Sequence, residues 1–262
     1  MRPTSTSLAL LLAGSLLTAS VAFATPSDGT RGPGARRLSH RSRSTGFPWD
    51  GRLRRGVLLH ESAHVRYTTE YRAAGNFWGT WELVQLLERA AYRVSRRLPG
   101  AKLSVGELSR ERGGRIPGHA SHRSGRDADL AFYMLDGRGR PFAPFAFAAF
   151  RGNGQGRGVN SGLRFDDARN WELVAKLVAD GDARVQYIFV SNALKRRLLR
   201  EGRRRHASAS VLRRAEAVLI QPSGHNRHEN HFHLRIYCPP ASRPACRDRA
   251  PFHPWYPGRR PR

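Results

Sequence analysis

One stretch near the C-terminal end, residues 228–238, constrains the fold most because its polar and apolar side chains alternate. The alternating residues are, in order, His231, Phe232, His233, Leu234, Arg235, Ile236 and Tyr237. This pattern predicts a β-strand with one polar and one apolar face. Because residues two apart point to the same side of a strand, we expect His231 and His233 to enter one cavity. Two neighbouring imidazoles are the start of a metal site or a proton-transfer site.

A second stretch, residues 119–130, carries side chains that complement these histidines. Asp127 and Asp129 alternate with apolar residues, which predicts that they share one face of another strand. Gly125 permits the tight reversal that would bring His122 back over Asp129. His119, three residues before His122, can approach the same cavity if the loop curls. We therefore expect the two stretches to close on one metal ion.

The combined set of residues fits a catalytic zinc site. Zinc accepts histidine nitrogen and carboxylate oxygen, and a catalytic site has three protein ligands and one position for water. Structural sites favour cysteine and four protein ligands, so they fit this set less well. We predict one Zn²⁺ ion with the following residues: metal ligands His122, Asp129 and His233; catalytic residues His231 and His228; residues that orient ligands or bind substrate, His119 and Asp127.

The N-terminal segment predicts export. A basic residue, an apolar run and a small-x-small site predict a signal peptide over residues 1–24. Residues 25–50, rich in Gly, Pro, Ser and Arg, predict a flexible leader. The folded domain is expected over residues 51–246, followed by a Pro/Arg-rich tail over residues 247–262. No later apolar run is long enough to span a membrane, so no span is expected after signal removal.

The two cysteines, Cys238 and Cys246, lie close together in the sequence. In an exported protein such a pair predicts a disulfide, which would tie the end of the His-rich strand to the tail. A metal site built on thiolates would need further cysteines, and the sequence contains none. The disulfide is therefore the favoured interpretation.

The formal net charge of +26 is extreme, and only three of the 46 basic residues are lysine. Such a charge attracts polyanions, which include nucleic acid, anionic lipid and acidic polymers of the cell envelope. The alternative is that the arginines form a solvated surface with no specific partner. For an exported protein, nucleic acid is not an expected partner, and the charge points to the cell envelope.

The remaining pattern predicts an α+β fold. Helices are predicted at residues 81–97, 166–179, 193–200 and 210–218, and strands at 101–108 and 185–190. Residues 138–160 are predicted to form a long irregular loop of the kind that often serves as a lid or substrate wall. These elements do not alternate as in a parallel doubly wound sheet. We expect a small antiparallel sheet that carries the zinc site, with helices packed on one side and around it.

A competing metal motif, H-E-x-x-H, occurs at His60, Glu61 and His64. On a helix this spacing would place both histidines on one face and make the glutamate the general base of a metalloprotease. The extended form of the signature is absent, because Tyr67 and Glu70 stand at the next motif positions. This motif is the alternative metal site.

Two stretches resemble the signatures of a known enzyme family. "GHASHRSGRDADL" at residues 118–130 and "HENHFHLRIYCP" at residues 228–239 are similar to those of the penicillin-insensitive murein endopeptidases. The resemblance implies periplasmic zinc peptidases, related to D-alanyl-D-alanine peptidases and lysostaphin-type enzymes, with an H-x6-D and H-x-H ligand pattern. It implies cleavage of D-alanyl–diaminopimelate crosslinks in peptidoglycan without a serine nucleophile. A non-catalytic domain that binds cell wall or polyanions is the remaining alternative.

Overall fold

The computed structural model describes residues 42–224 and 226–258, so the predicted signal peptide and most of the predicted leader lie outside the described residues. The strands are β1 (Arg43–Thr45), β2 (Arg52–Arg54), β3 (Val57–Leu58), β4 (Val65–Tyr67), β5 (Trp78–Gly79), β6 (Leu103–Val105), β7 (Asp127–Ala131), β8 (Met134–Leu135), β9 (Pro141–Phe142), β10 (Arg164–Phe165), β11 (Val185–Phe189), β12 (Leu219–Ile220) and β13 (His231–Ile236). The α-helices are α1 (Thr69–Arg72), α2 (Trp81–Arg97), α3 (Asp167–Ala179), α4 (Asn192–Arg204) and α5 (Ala209–Val218).

A six-stranded sheet with the order β12-β11-β13-β7-β6-β4 forms the centre of the fold. Its three inner pairs, β11 with β13, β13 with β7 and β7 with β6, are antiparallel. Both outer pairs are parallel, because helices connect the two strands of each pair as parallel crossovers require. The predicted α+β class is confirmed, and the sheet departs from purely antiparallel pairing only at these edges.

The two faces of the sheet have different roles. Phe232, Leu234 and Ile236 of β13 are fully buried in one hydrophobic cluster that also contains the apolar residues of α2 and α3. Since side chains alternate along a strand, His233 and Arg235 of β13 point to the opposite face. The helices therefore cover one face, and the other face is left for polar chemistry.

The helices start where side-chain caps satisfy their first amide groups. The Thr80 hydroxyl accepts a hydrogen bond from the backbone of Leu83 (3.4 Å), so α2 begins at the predicted residue. The Asp166 carboxylate accepts one from the backbone of Arg169 (3.0 Å), which caps α3. The described residues contain no helix with the length and apolar character that crossing a membrane requires.

Segments on both sides of the expected domain, residues 51–246, also contact it. In the part of the predicted leader that is described, the backbone of Gly46 donates to Ala245 (2.8 Å). In the predicted tail, the Trp255 indole donates to the Val185 carbonyl (2.8 Å). These contacts join the described parts of the predicted leader and tail to the segment 51–246.

Candidate metal centre

Strands β7 and β13 bring two pairs of polar residues face to face. Their antiparallel register places His233 opposite Asp129 and Arg235 opposite Asp127. All four side chains are buried on one face of the sheet. The apolar residues that alternate with them point into the hydrophobic core on the opposite face. Buried polar groups are stabilised when they bind one another or a cation. The register therefore builds a polar cluster in the middle of the sheet.

The loop before β7 delivers His122 to this cluster. Gly125 has a φ of +72° and His122 a φ of +66°, so the chain reverses through two left-handed residues. The backbone N–H of His122 donates to Asp127 (3.0 Å), and its carbonyl accepts from the Ser109 hydroxyl (2.6 Å). A left-handed histidine is uncommon, and such conformations persist where the surrounding contacts hold them. These contacts fix the imidazole over the sheet.

Potential ligand atoms of three residues lie close together. Nε2 of His122 lies 3.3 Å from Nδ1 of His233 and 3.3 Å from a carboxylate oxygen of Asp129. Nδ1 of His233 lies 3.0 Å from the other oxygen of Asp129. Zinc bonds of about 2.0–2.2 Å in a tetrahedron require ligand atoms about 3.3–3.6 Å apart. The observed separations lie at or within about 0.3 Å of that range, so these residues fit a zinc ion.

Outer contacts orient both imidazoles, through a hydrogen bond for His122 and a carboxylate neighbour for His233. Nδ1 of His122 lies 2.6 Å from the Leu108 carbonyl, an acceptor, which assigns the proton to Nδ1 and leaves Nε2 free to coordinate. Nε2 of His233 lies 3.3 Å from a carboxylate oxygen of Asp127 without a hydrogen bond between them, and Nδ1 faces the centre. Ligating histidines in metal sites are oriented in this way by carbonyls and carboxylates.

Electrostatics at the centre favour positive charge. Burial raises the pKa of Asp129, but His122 and His231 outweigh that effect and hold this pKa well below its usual range. Burial lowers the pKa of His233, but hydrogen bonds with Asp127 and Asp129 outweigh it and raise this pKa. The centre thus stabilises a cation, whether a proton on His233 or a metal ion.

His119, which was expected only to orient ligands or bind substrate, lies near enough to the centre to be a metal ligand itself. Its Nδ1 is 3.6 Å from Asp129, and its ligand atom lies within 4.8 Å of those of His122 and Asp129. Its Nε2 contacts Glu107 at 2.6 Å. His119, His122 and Asp129 therefore form a group that could hold a metal ion, and His233 also lies within 3.3 Å of His122 and 3.0 Å of Asp129.

Glu107 is a site residue that the sequence patterns missed. Burial raises its pKa, but hydrogen bonds from His119 and Asn76 outweigh this effect and keep it lowered. The Asn76 amide donates to Glu107 at 2.7 Å. Glu107 follows β6, the neighbour of β7, and this topology would have been the signal to find it.

The two predicted catalytic histidines lie beside the centre. Nδ1 of His231 is 2.8 Å from the Asn230 side-chain oxygen, which assigns its proton there and leaves Nε2 free, 3.5 Å from Asp129. His228 has a φ of +51°, and its ring centroid lies 4.9 Å from that of His231. Its pKa is lowered to about 4, chiefly by burial, so it is neutral at pH 7. Nε2 of His231 is therefore placed to accept a proton, whereas the lowered pKa of His228 keeps that imidazole uncharged.

Arg235 holds Asp127 beneath the centre. Its guanidinium donates to Asp127 and lies 4.9 Å from the centroid of the Tyr187 ring. Burial raises the pKa of Asp127, but the charge of Arg235 is the largest opposing effect and leaves this pKa lowered. Asp127 is thereby kept ionised and can orient His233 through its Nε2.

A cavity of about 600 Å³ opens over the centre, and aromatic residues form part of its walls. Phe147, from the predicted irregular loop, stacks on His231 with ring centroids 4.5 Å apart and an interplanar angle of 17°. Gly106 makes room for it, because a Cβ there would lie 2.3 Å from the Phe147 ring. Tyr187 and Phe189 stack on each other near His233. A volume of this size suits a small ligand or a peptide segment.

The H-E-x-x-H motif does not form the helical metal site. Residues 59–64 lie between β3 and β4, outside any helix. Glu61 is held by Arg72 in a two-point ion pair (2.6 and 2.7 Å), and His64 contacts the Ser95 hydroxyl (2.8 Å). The alternative site at His60, Glu61 and His64 is therefore wrong, because pairing with β5 and β6 makes the flanking residues strands.

Two comparisons with known proteins bear on this site. The family described as penicillin-insensitive murein endopeptidase matches residues 45–255. A protein of Haemophilus influenzae named penicillin-insensitive murein endopeptidase is 31% identical over 185 residues, which cover 67% of this chain. The match covers 56% of that relative, so the chain spans little more than half of its length. The match to the family includes both histidine-rich stretches and all of the residues of the candidate centre.

Proposed function

This chain belongs to the penicillin-insensitive murein endopeptidase family, and from that premise we propose that it is a zinc-dependent endopeptidase of peptidoglycan. The proposed reaction is hydrolysis of D-alanyl–diaminopimelate crosslinks, with water as the nucleophile. The observation that carries the proposal is the convergence of His122, Asp129 and His233 within 3.0–3.3 Å of one another. Two imidazoles and one carboxylate are a donor set of catalytic zinc sites.

Each residue of the site has a role in this proposal. His122, Asp129 and His233 would hold the metal ion, which supplies Lewis acidity that activates water and polarises the amide carbonyl. His231 accepts a proton at Nε2 and returns it to the leaving amine. His228, neutral and next to His231, assists as an uncharged hydrogen-bonding group at the rim of the cavity.

The nucleophile determines the expected response to β-lactams. These inhibitors acylate a serine nucleophile, whereas the proposed reaction proceeds through water and needs no such serine. Cleavage is therefore expected to continue in their presence. The substrate is in the cell wall, so the proposal also requires the export predicted from residues 1–24, with the periplasm as the site of action.

The test is digestion of purified crosslinked peptidoglycan, with products separated as muropeptides. Zinc-loaded protein should convert crosslinked dimers into monomers, and a chelator or His233→Ala should abolish this conversion. His60→Ala is the matched control, because it removes a histidine that lies outside the site, and it should retain activity. Binding of peptidoglycan without any new product would instead support a non-catalytic wall-binding domain.

A further inference from the structure

A second cavity of about 390 Å³ lies next to the metal centre and has a basic wall. It shares Asn226, His228 and Asn230 with the cavity over the centre, so the His228 loop lines both cavities. Its remaining charged walls are Arg157, Arg227 and Glu229, two cations against one anion. Its volume falls within the roughly 300–1,000 Å³ of ligand sites.

The two arginines are available to a ligand in different ways. Arg227 is exposed and has no ion-pair partner within residues 42–224 and 226–258. Arg157 pairs with Glu229 at 2.7 Å through one of its terminal nitrogens, while its side chain remains 52% exposed. A guanidinium can bind a carboxylate through two parallel hydrogen bonds, so Arg157 can take an incoming carboxylate.

The backbone holds this wall in a fixed position relative to the metal centre. The amide of Phe150 donates to the Glu229 carbonyl (2.8 Å), and that of Arg157 donates to the Ala149 carbonyl (2.8 Å). The amide of Ser191 donates to the His228 carbonyl (3.0 Å). The arginines are thus carried on segments that are tied to the residues beside His231. Surface arginines occur throughout this chain, but these two line a cavity that shares part of its wall with the cavity over the centre.

We infer that this second cavity is a subsite for a carboxylate-bearing arm of the peptide substrate. The inference rests on the proposed function. A crosslink has two peptide arms that leave the scissile amide in different directions, and its stem peptides carry free carboxylates. One arm lies over the metal centre, and the other passes the His228 loop and places a carboxylate between Arg157 and Arg227. Glu229 competes for Arg157 and thereby limits binding of that arm.

The experiment measures kcat and KM with two substrates: a purified muropeptide dimer, and the same dimer with its carboxylates converted to amides. The double variant Arg157→Gln/Arg227→Gln should raise KM for the acidic dimer about tenfold or more, with kcat little changed. It should leave KM for the amidated dimer within about twofold of the wild-type value. Arg196→Gln is the control, because Arg196 is exposed and lines neither cavity.

Two further variants keep the result interpretable. Arg227→Gln alone breaks no ion pair and should still raise KM for the acidic dimer. Glu229→Gln releases Arg157 and should lower KM for it. Equal KM changes with both substrates, or no change with the acidic dimer, would overturn the subsite. Failure of the wild-type protein to cleave either dimer would instead overturn the proposed function.

Discussion

Asp248→Asn should destabilise this protein severely, because it removes the charged partner of a fully buried arginine. Both side chains of the Arg126–Asp248 pair are 0% exposed, and they meet at 2.7 Å. At that distance and an effective dielectric constant of about 20, their attraction is about 6 kcal/mol, most of which offsets desolvation. Asp248 also accepts hydrogen bonds from Arg243 (2.9 Å) and the backbone of Cys238 (3.0 Å).

The expected loss follows from what Arg126 retains. Its guanidinium still donates to the carbonyls of Arg247 (2.9 Å) and Ile236 (3.4 Å), and asparagine still accepts one hydrogen bond. Breaking a buried pair by removing one partner costs about 3–5 kcal/mol, and the retained contacts place this variant near 3 kcal/mol. Since domains are stable by about 5–15 kcal/mol, this loss would be a large part of the total.

Urea unfolding followed by tryptophan fluorescence measures this loss, with chelator present so that metal binding does not contribute. Asp136→Asn is the matched control, because it breaks a pair whose arginine, Arg140, is 66% exposed, and it should cost less than about 1 kcal/mol. The reasoning is refuted if the two variants lose the same free energy of unfolding within about 1 kcal/mol. It also predicts that removing both charges, as in Arg126→Met/Asp248→Asn, restores part of the loss.

Three further predictions concern the site. Wild-type protein should bind one zinc ion in equilibrium dialysis, and His233→Ala should bind it at least about 100-fold more weakly. The control His60→Ala should bind zinc as the wild type does. Full retention of zinc by His233→Ala would make His119 the third ligand. Phe147→Ala should lower kcat about tenfold with little change in KM, because it removes the ring stacked on His231, the candidate base. The control Phe145→Ala, at a residue that is 68% exposed, should leave kcat unchanged. Gly106→Ala should reproduce the kcat loss, since its Cβ would displace that ring, and normal kcat with normal thermal stability would contradict the stacking role.

Local periodicity predicted the parts of this structure that are set locally. The alternation around His231 and His233 corresponds to β13, and the helical spacing after Thr80 corresponds to α2 with its observed bounds. The shared face of His231 and His233 was accessible because a strand fixes which side chains point to the same side. Each of these features depends on the order of neighbouring residues.

Other features depend on contacts between distant segments, for which the sequence had no local signal. The packing of Phe147 on His231 requires both the irregular loop and the absence of a side chain at Gly106. The partnership of Glu107 with His119 depends on which strand lies next to β7. The H-E-x-x-H motif shows the converse, since pairing with other strands overrode a helical pattern.

The register that places His233 opposite Asp129 has a consequence for synthesis of the chain. The two residues are separated by 104 positions, so a growing polypeptide carries only part of the donor set for much of its synthesis. Any product terminated before residue 233 lacks one nitrogen donor and the central strand that would present it. Under the proposed function, hydrolysis would therefore be confined to chains that have been completed beyond that point.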